Sequence, residues 1–132
     1  MKFPQILLLV DDAIVVFLVT LLGIQFHQID PSIFTRLPYT FIPFLAAWIF
    51  FAAILQMYDP ANASSWRQLW RILAAAALAA PTGATIRALW LNTSFVPIFA
   101  IVMGAALAAG LLISRSVFIL IFGNRWSNPD NE

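Results

Sequence analysis

The sequence predicts an all-α membrane protein, a bundle of four transmembrane helices, and three observations predict it. Hydrophobic residues make up 62% of the 132 residues and charged residues only 10%. A soluble domain carries roughly 45–50% apolar and about 25% charged residues, so this excess must face lipid. The apolar residues gather into four stretches, each near the ~20 residues that cross a hydrocarbon core of ~30 Å. Short polar breaks separate them. Each stretch must satisfy its own backbone, which leaves the helix as its form.

The first stretch runs about Pro4 to Phe26. Lys2 ahead of Ile6 to Val10 imitates a signal peptide, but Asp11-Asp12 interrupts the run and no small-x-small site follows. It is read as a retained span. Gln28 to Ser32, with Pro31, forms the first break. The second span runs about Tyr39 to Met57. Tyr58 to Ser65 is the next break, where Ser64 or Ser65 is the expected helix N-cap before Trp66. The third span covers about Leu69 to Leu91, and the fourth about Phe95 to Ser114 or longer. Asn92-Thr93-Ser94 is so short that these last two form an antiparallel hairpin. After Arg115 the run Val117 to Phe122 is too short to cross by itself. It is read as a continuation of the fourth helix, with an interfacial segment as the other option. Residues 1–123 thus form one transmembrane domain and 124–132 a polar tail.

Basic residues orient the bundle. Lys2, Arg67, Arg71, Arg115 and Arg125 fall on one side, Arg36 and Arg87 on the other. The richer side marks the cytoplasm, so both termini are expected there and the protein is expected to be multi-pass in the plasma (cytoplasmic, cell inner) membrane. Trp66, Trp70 and Trp126 fall at the inner interface, Tyr39 and Trp90 at the outer one.

Net charge is +1 and the basic residues are spread singly, so nucleic acid is not an expected partner. There is no cysteine, which removes disulfides and thiolate chemistry. No nucleophile–base grouping, phosphate-cradling loop or metal cluster appears, so no enzyme, cofactor or metal is expected.

The polar residues inside the spans carry what chemistry there is. A carboxylate within a spanning helix costs about 2.5–3.5 kcal/mol to insert. Asp11 and Asp12 point about 100° apart, so at least one should face the bundle. Arg71 and Arg115 are the available partners in the same half. These four form a candidate ion-pair or proton site, read either as a structural lock or as a coupling site. His27, Gln25 and Arg87 form a candidate outer polar site, where a lone His is more often an interfacial residue than a pigment or haem ligand. Pro81 and Gly83 predict a kink in the third helix, with Thr82 beside the carbonyl that Pro81 frees. Ala74 to Ala77, Ala79 and Ala80 in the third helix, and Ala100, Gly104 and Ala108 in the fourth, offer small-residue faces for close helix packing.

Several of these residues resemble a known family. Asp12, Leu22-Gly23 and His27 in the first helix, and Pro43-Phe44-Leu45 and Trp48 in the second, are joined by Thr82, Gly83 and Arg87 in the third, Phe95 opening the fourth and Arg115 after it. In this order they resemble the bacterial and archaeal membrane family known as domain of unknown function 3054, over about Leu7 to Arg115. Ile24-Gln25 departs from the basic residues that members often carry there, and the apolar tail after Arg115 is an addition. The resemblance implies a four-helix architecture and no established activity. The expected role is therefore a non-enzymatic accessory or structural subunit, or a homo-oligomer, with the bilayer, itself or a larger membrane complex as partner. The alternatives are a small-solute or proton-coupled permease using Asp11 and Asp12, and a pigment- or haem-binding subunit using His27.

Overall fold

The computed structural model describes residues 3–27, 33–63 and 65–126, and the side chains of 5–23, 37–59, 62–63 and 65–122. These residues form α1 (Phe3–His27), α2 (Ile33–Ile54), the short α3 (Pro60–Ala63), a 3₁₀ turn (Trp66–Gln68), α4 (Trp70–Leu91) and α5 (Pro97–Trp126). Within α1, α2 and α5, and from the 3₁₀ turn through α4, four segments are long and apolar enough to cross a membrane: Gln5–Gly23, Leu37–Ile54, Trp66–Leu91 and Pro97–Phe122. The four-helix class expected from the sequence is present.

The long helices form a ring in chain order. α1 packs on α2, α2 on α4, α4 on α5, and α5 back on α1. The inward stripes repeat every four residues: Leu8, Asp12, Val16 and Thr20 on α1, and Met103, Leu107, Leu111 and Arg115 on α5. One helical turn holds 3.6 residues, so such rows stay on one side of the helix and meet a neighbour along their length. Large apolar side chains elsewhere, such as Ile101, Ile113 and Leu120, stand exposed, as a lipid-facing surface requires.

α4 gives the core its tight spacing. Its buried face is almost all small: Ala75, Ala76, Ala79, Ala80, Gly83, Ala84 and Ala88. A Cβ on Gly83 would sit 2.7 Å from Phe44 Cδ1 and 3.1 Å from the Phe44 Cα. Glycine is needed there because the α2 backbone itself lies in the way. On the other flank a Cβ on Gly104 would sit 3.0 Å from the Ala80 Cβ. Both seams gain dispersion contacts by close approach, the main attraction left between helices in lipid.

Boundaries differ from expectation at the second helix and in the break after it. The second helix starts at Ile33, ahead of Pro38, and ends at Ile54 rather than Met57. The break after it holds α3 and the 3₁₀ turn. Ser65 stands at the cap of that turn but makes no side-chain capping bond, and α4, which starts at Trp70 after Leu69, has no side-chain cap either. The fourth helix runs unbroken through Arg115 to Trp126, the continuation expected from the sequence. α4 likewise continues through Pro81. Thr82 donates to the Leu78 carbonyl at 2.8 Å, one residue beyond the Ala77 carbonyl that Pro81 leaves without its helical donor.

Two helix ends close by the same left-handed device. Gln56 (φ 55°) bonds back to the Ala53 carbonyl at 3.1 Å, and Met57 to that of Ala52 at 2.9 Å. Asn92 (φ 53°) bonds to Leu89 at 3.3 Å and Thr93 to Ala88 at 2.9 Å. These are Schellman closures, which satisfy the last carbonyls of α2 and α4 and reverse the chain. The second makes the tight hairpin into α5.

Candidate functional site: a buried charge cluster

Asp12 is 1% exposed and Arg115 4% exposed. Both lie seven residues from an end of their span, Asp12 after Gln5 and Arg115 before Phe122. That is about 10 Å along each helix, so they meet at one depth. Arg115 Nη2 donates to Asp12 Oδ1 at 3.0 Å and to Oδ2 at 3.3 Å. Trp48 Nε1 donates to Oδ2 at 2.9 Å, and Tyr58 Oη donates to the same oxygen at 3.0 Å. The carboxylate therefore collects donors from α2, from the turn after it and from α5.

Burial is the first reason the Tyr58 hydroxyl is pushed up from its ordinary value, and the Asp12 charge is the second. Tyr58 thus stays a neutral O–H donor. Arg115 has one further bond, from Nη1 to the Met57 carbonyl at 3.2 Å. The pair consequently ties α1 and α5 to the C-terminal turn of α2.

That turn is a hub. Asn62 Nδ2 donates to the Gln56 carbonyl at 2.9 Å, and Arg71 Nη1 donates to the Leu55 carbonyl. Successive carbonyls of Leu55, Gln56 and Met57 are capped by side chains from three other elements. Two of the caps are guanidinium groups, placed where the α2 dipole is negative.

Of the four residues in the candidate ion-pair set, Asp12 and Arg115 meet directly. Arg71 does not join them. It bonds to Leu55 and, through Nε, to Gln68 Oε1 at 2.6 Å. Asp11 faces the α1–α5 seam and accepts from Ser114 Oγ at 2.5 Å, half-buried. The 100° offset between adjacent helical residues sends the two carboxylates to separate partners.

At the other end of the bundle, Arg87 Nε donates to the buried Thr40 hydroxyl at 3.0 Å, with its guanidinium 5.0 Å from the Phe99 ring centroid. The side chains of Gln25 and His27 lie outside the described residues, as does that of Arg36. Tyr39 and Trp90, placed at one interface from sequence, stack edge to face at 5.1 Å.

Trp48 and Tyr58 were missed as site residues, and only Trp48 left a signal. An indole N–H in mid-span, away from the interfacial belt, must find an acceptor. The nearest carboxylates in the apolar segments are Asp11 and Asp12. Tyr58 lies in a polar break, where nothing distinguishes it from a surface residue.

Asp12 lines neither of two described cavities. One of about 10 Å³, room for a single water, is lined by Met57, Asn62, Gln68, Arg71 and Arg115 among others. The other is an apolar groove of about 460 Å³ between α4 and α5, walled by residues such as Ala77, Pro81, Gly104 and Ala105. Among the described residues no His, Cys, Asp or Glu cluster could hold a metal ion.

Four apolar spans locked by an internal charge pair define a small polytopic helical membrane protein. The chain belongs to the family described as protein of unknown function DUF3054, whose model matches residues 9–118. The match includes Asp12, Trp48, Tyr58 and Arg115, and agrees with the resemblance read from the sequence. No curated protein and no solved structure matches the chain.

Proposed function

We propose that this protein is a non-enzymatic membrane subunit that acts by association, with the bundle as a rigid module in the cytoplasmic membrane and both termini in the cytoplasm. The observation that carries this reading is the closure of the Asp12 cluster. Four donor contacts saturate the carboxylate, and Asp12 lines neither described cavity. A coupling carboxylate must exchange protons or ions with water. Asp12 is instead held by three elements that would all have to move. Its chemistry is that of a lock, a common role for a buried pair. The surface that remains for action is the lipid-facing one, and its largest described recess is the α4–α5 groove.

Two experiments test this together. Cross-linking in native membranes, followed by blue-native electrophoresis in mild detergent, should give a species larger than the monomer or a co-migrating membrane component. A bare monomer in both would overturn the reading. Proton flux through reconstituted vesicles that is lost in Asp11→Asn plus Asp12→Asn, while the fold is kept, would replace it with the permease.

A further inference from the structure

We propose that the α4–α5 groove is a lipid site, holding an acyl chain of an anionic phospholipid whose phosphate rests at the Trp66–Arg71 end. The proposal rests on the reading above and names the first component with which the bundle associates. Three observations carry it.

The groove has the shape of a chain. Along α5 its lining runs from Pro97 to Ala108, twelve residues or about 16 Å. A trough of about 460 Å³ over that length is long, narrow and open at the side, which suits a hydrocarbon chain.

The groove is apolar along its length and ends beside positive charge. Helical spacing puts Trp70 on the face of Leu73 and Ala77, which line the groove. Trp66 and Trp70 are more than half exposed, as ring systems at headgroup level are. The Arg71 guanidinium stands 5.4 Å from the Trp70 ring centroid, and Arg67 is exposed one turn earlier. The opposite end, by Phe95 and Pro97, follows the uncharged Asn92-Thr93-Ser94.

The first turn of α4 also carries no acid to neutralise these cations. Asp11 and Asp12, the acids of α1, are engaged with Ser114 and Arg115. A phosphate oxygen is the complement of an exposed guanidinium such as Arg67 in this position.

The test is lipid retention on the purified full-length protein, read by native mass spectrometry after equilibration with equal phosphatidylglycerol and phosphatidylcholine of matched chains. Wild type should keep phosphatidylglycerol in preference. Arg67→Gln should cut that preference about fivefold, the effect of one surface cation, while total lipid is kept. Ala77→Trp with Ala105→Trp fills the groove at two exposed positions, so the core is untouched, and should abolish retention of both lipids. Equal retention of the two headgroups by wild type overturns the proposal, as does retention unchanged in the filled variant. If filling the groove instead converts an oligomer to monomer with lipid retention unaltered, the occupant is a second copy. Then the lipid proposal fails and the association reading stands. If wild type retains lipid as expected yet shows no protein partner in membranes, the lipid site stands and the association reading contracts to lipid alone.

Discussion

The two seams of α5 are built by opposite means. Against α1 and α2, at the Asp12 end, it is held by a buried charge with directional bonds at 2.9 to 3.3 Å. Against α4 it is held by small residues, with a Cβ on Gly104 falling 3.0 Å from the Ala80 Cβ. The first seam is specific and directional. The second is close but leaves a groove open to lipid. In a bilayer there is little hydrophobic drive between helices, so a seam gains either by polar bonds that have no other partner or by backbone proximity. One polar lock fixes register for the bundle, and the alanine seam is then free to vary in shape. That division places rigidity at one end and a binding surface along the side.

The largest way to break this contrast is to remove one member of the lock. Arg115→Leu leaves Asp12 buried with only neutral donors and should lower stability by about 3–5 kcal/mol, measured by unfolding in mixed micelles. Deleting a donor should cost less. Trp48→Phe and Tyr58→Phe each remove one bond to a charged group, and each should lose about 1.5–3 kcal/mol in the same assay. If both were neutral, the donors would be incidental to the lock.

The small-residue seams give the next effect. Gly83→Ala drives a methyl into Phe44 and the α2 backbone, and should cost about 1–3 kcal/mol. Gly104→Ala meets the Ala80 methyl, with the Ala76 carbonyl oxygen at an ordinary 3.9 Å, and should cost less than Gly83→Ala. The reverse order would mean that α5, not α2, sets the position of α4. The smallest effect should be a gain. Thr20, on the stripe of Asp12, has its hydroxyl buried without a hydrogen-bond partner among the described atoms. Thr20→Val should be neutral or raise stability by about 1 kcal/mol.

Most of the fold was legible in the sequence. Span length, polar breaks and the short Asn92-Thr93-Ser94 link define four helices and one tight hairpin, and the unbroken α5 matches the favoured reading of the run after Arg115. Boundaries near proline were less legible. The second span was expected from Tyr39, yet α2 starts at Ile33 and carries Pro38 as well as Pro43 inside it. The site was half legible. Charged residues in apolar spans mark themselves by their cost, so Asp12 and Arg115 stood out. The choice between Arg71 and Arg115, and between Asp11 and Asp12, did not. In lipid every face of a helix is apolar, and the periodicity that marks an inner face in water is lost. The four-residue stripes 8–12–16–20 and 103–107–111–115 hold the answer, but only once burial singles them out.

The most direct test of the lock is a double-mutant cycle on Asp12→Leu and Arg115→Leu, with stability measured in mixed micelles and protein folded in each case. A structural pair predicts that each single change costs about 3–5 kcal/mol and that the double variant loses less than either, because no charge is left without its partner. Additive losses would contradict it and assign the two charges to separate tasks.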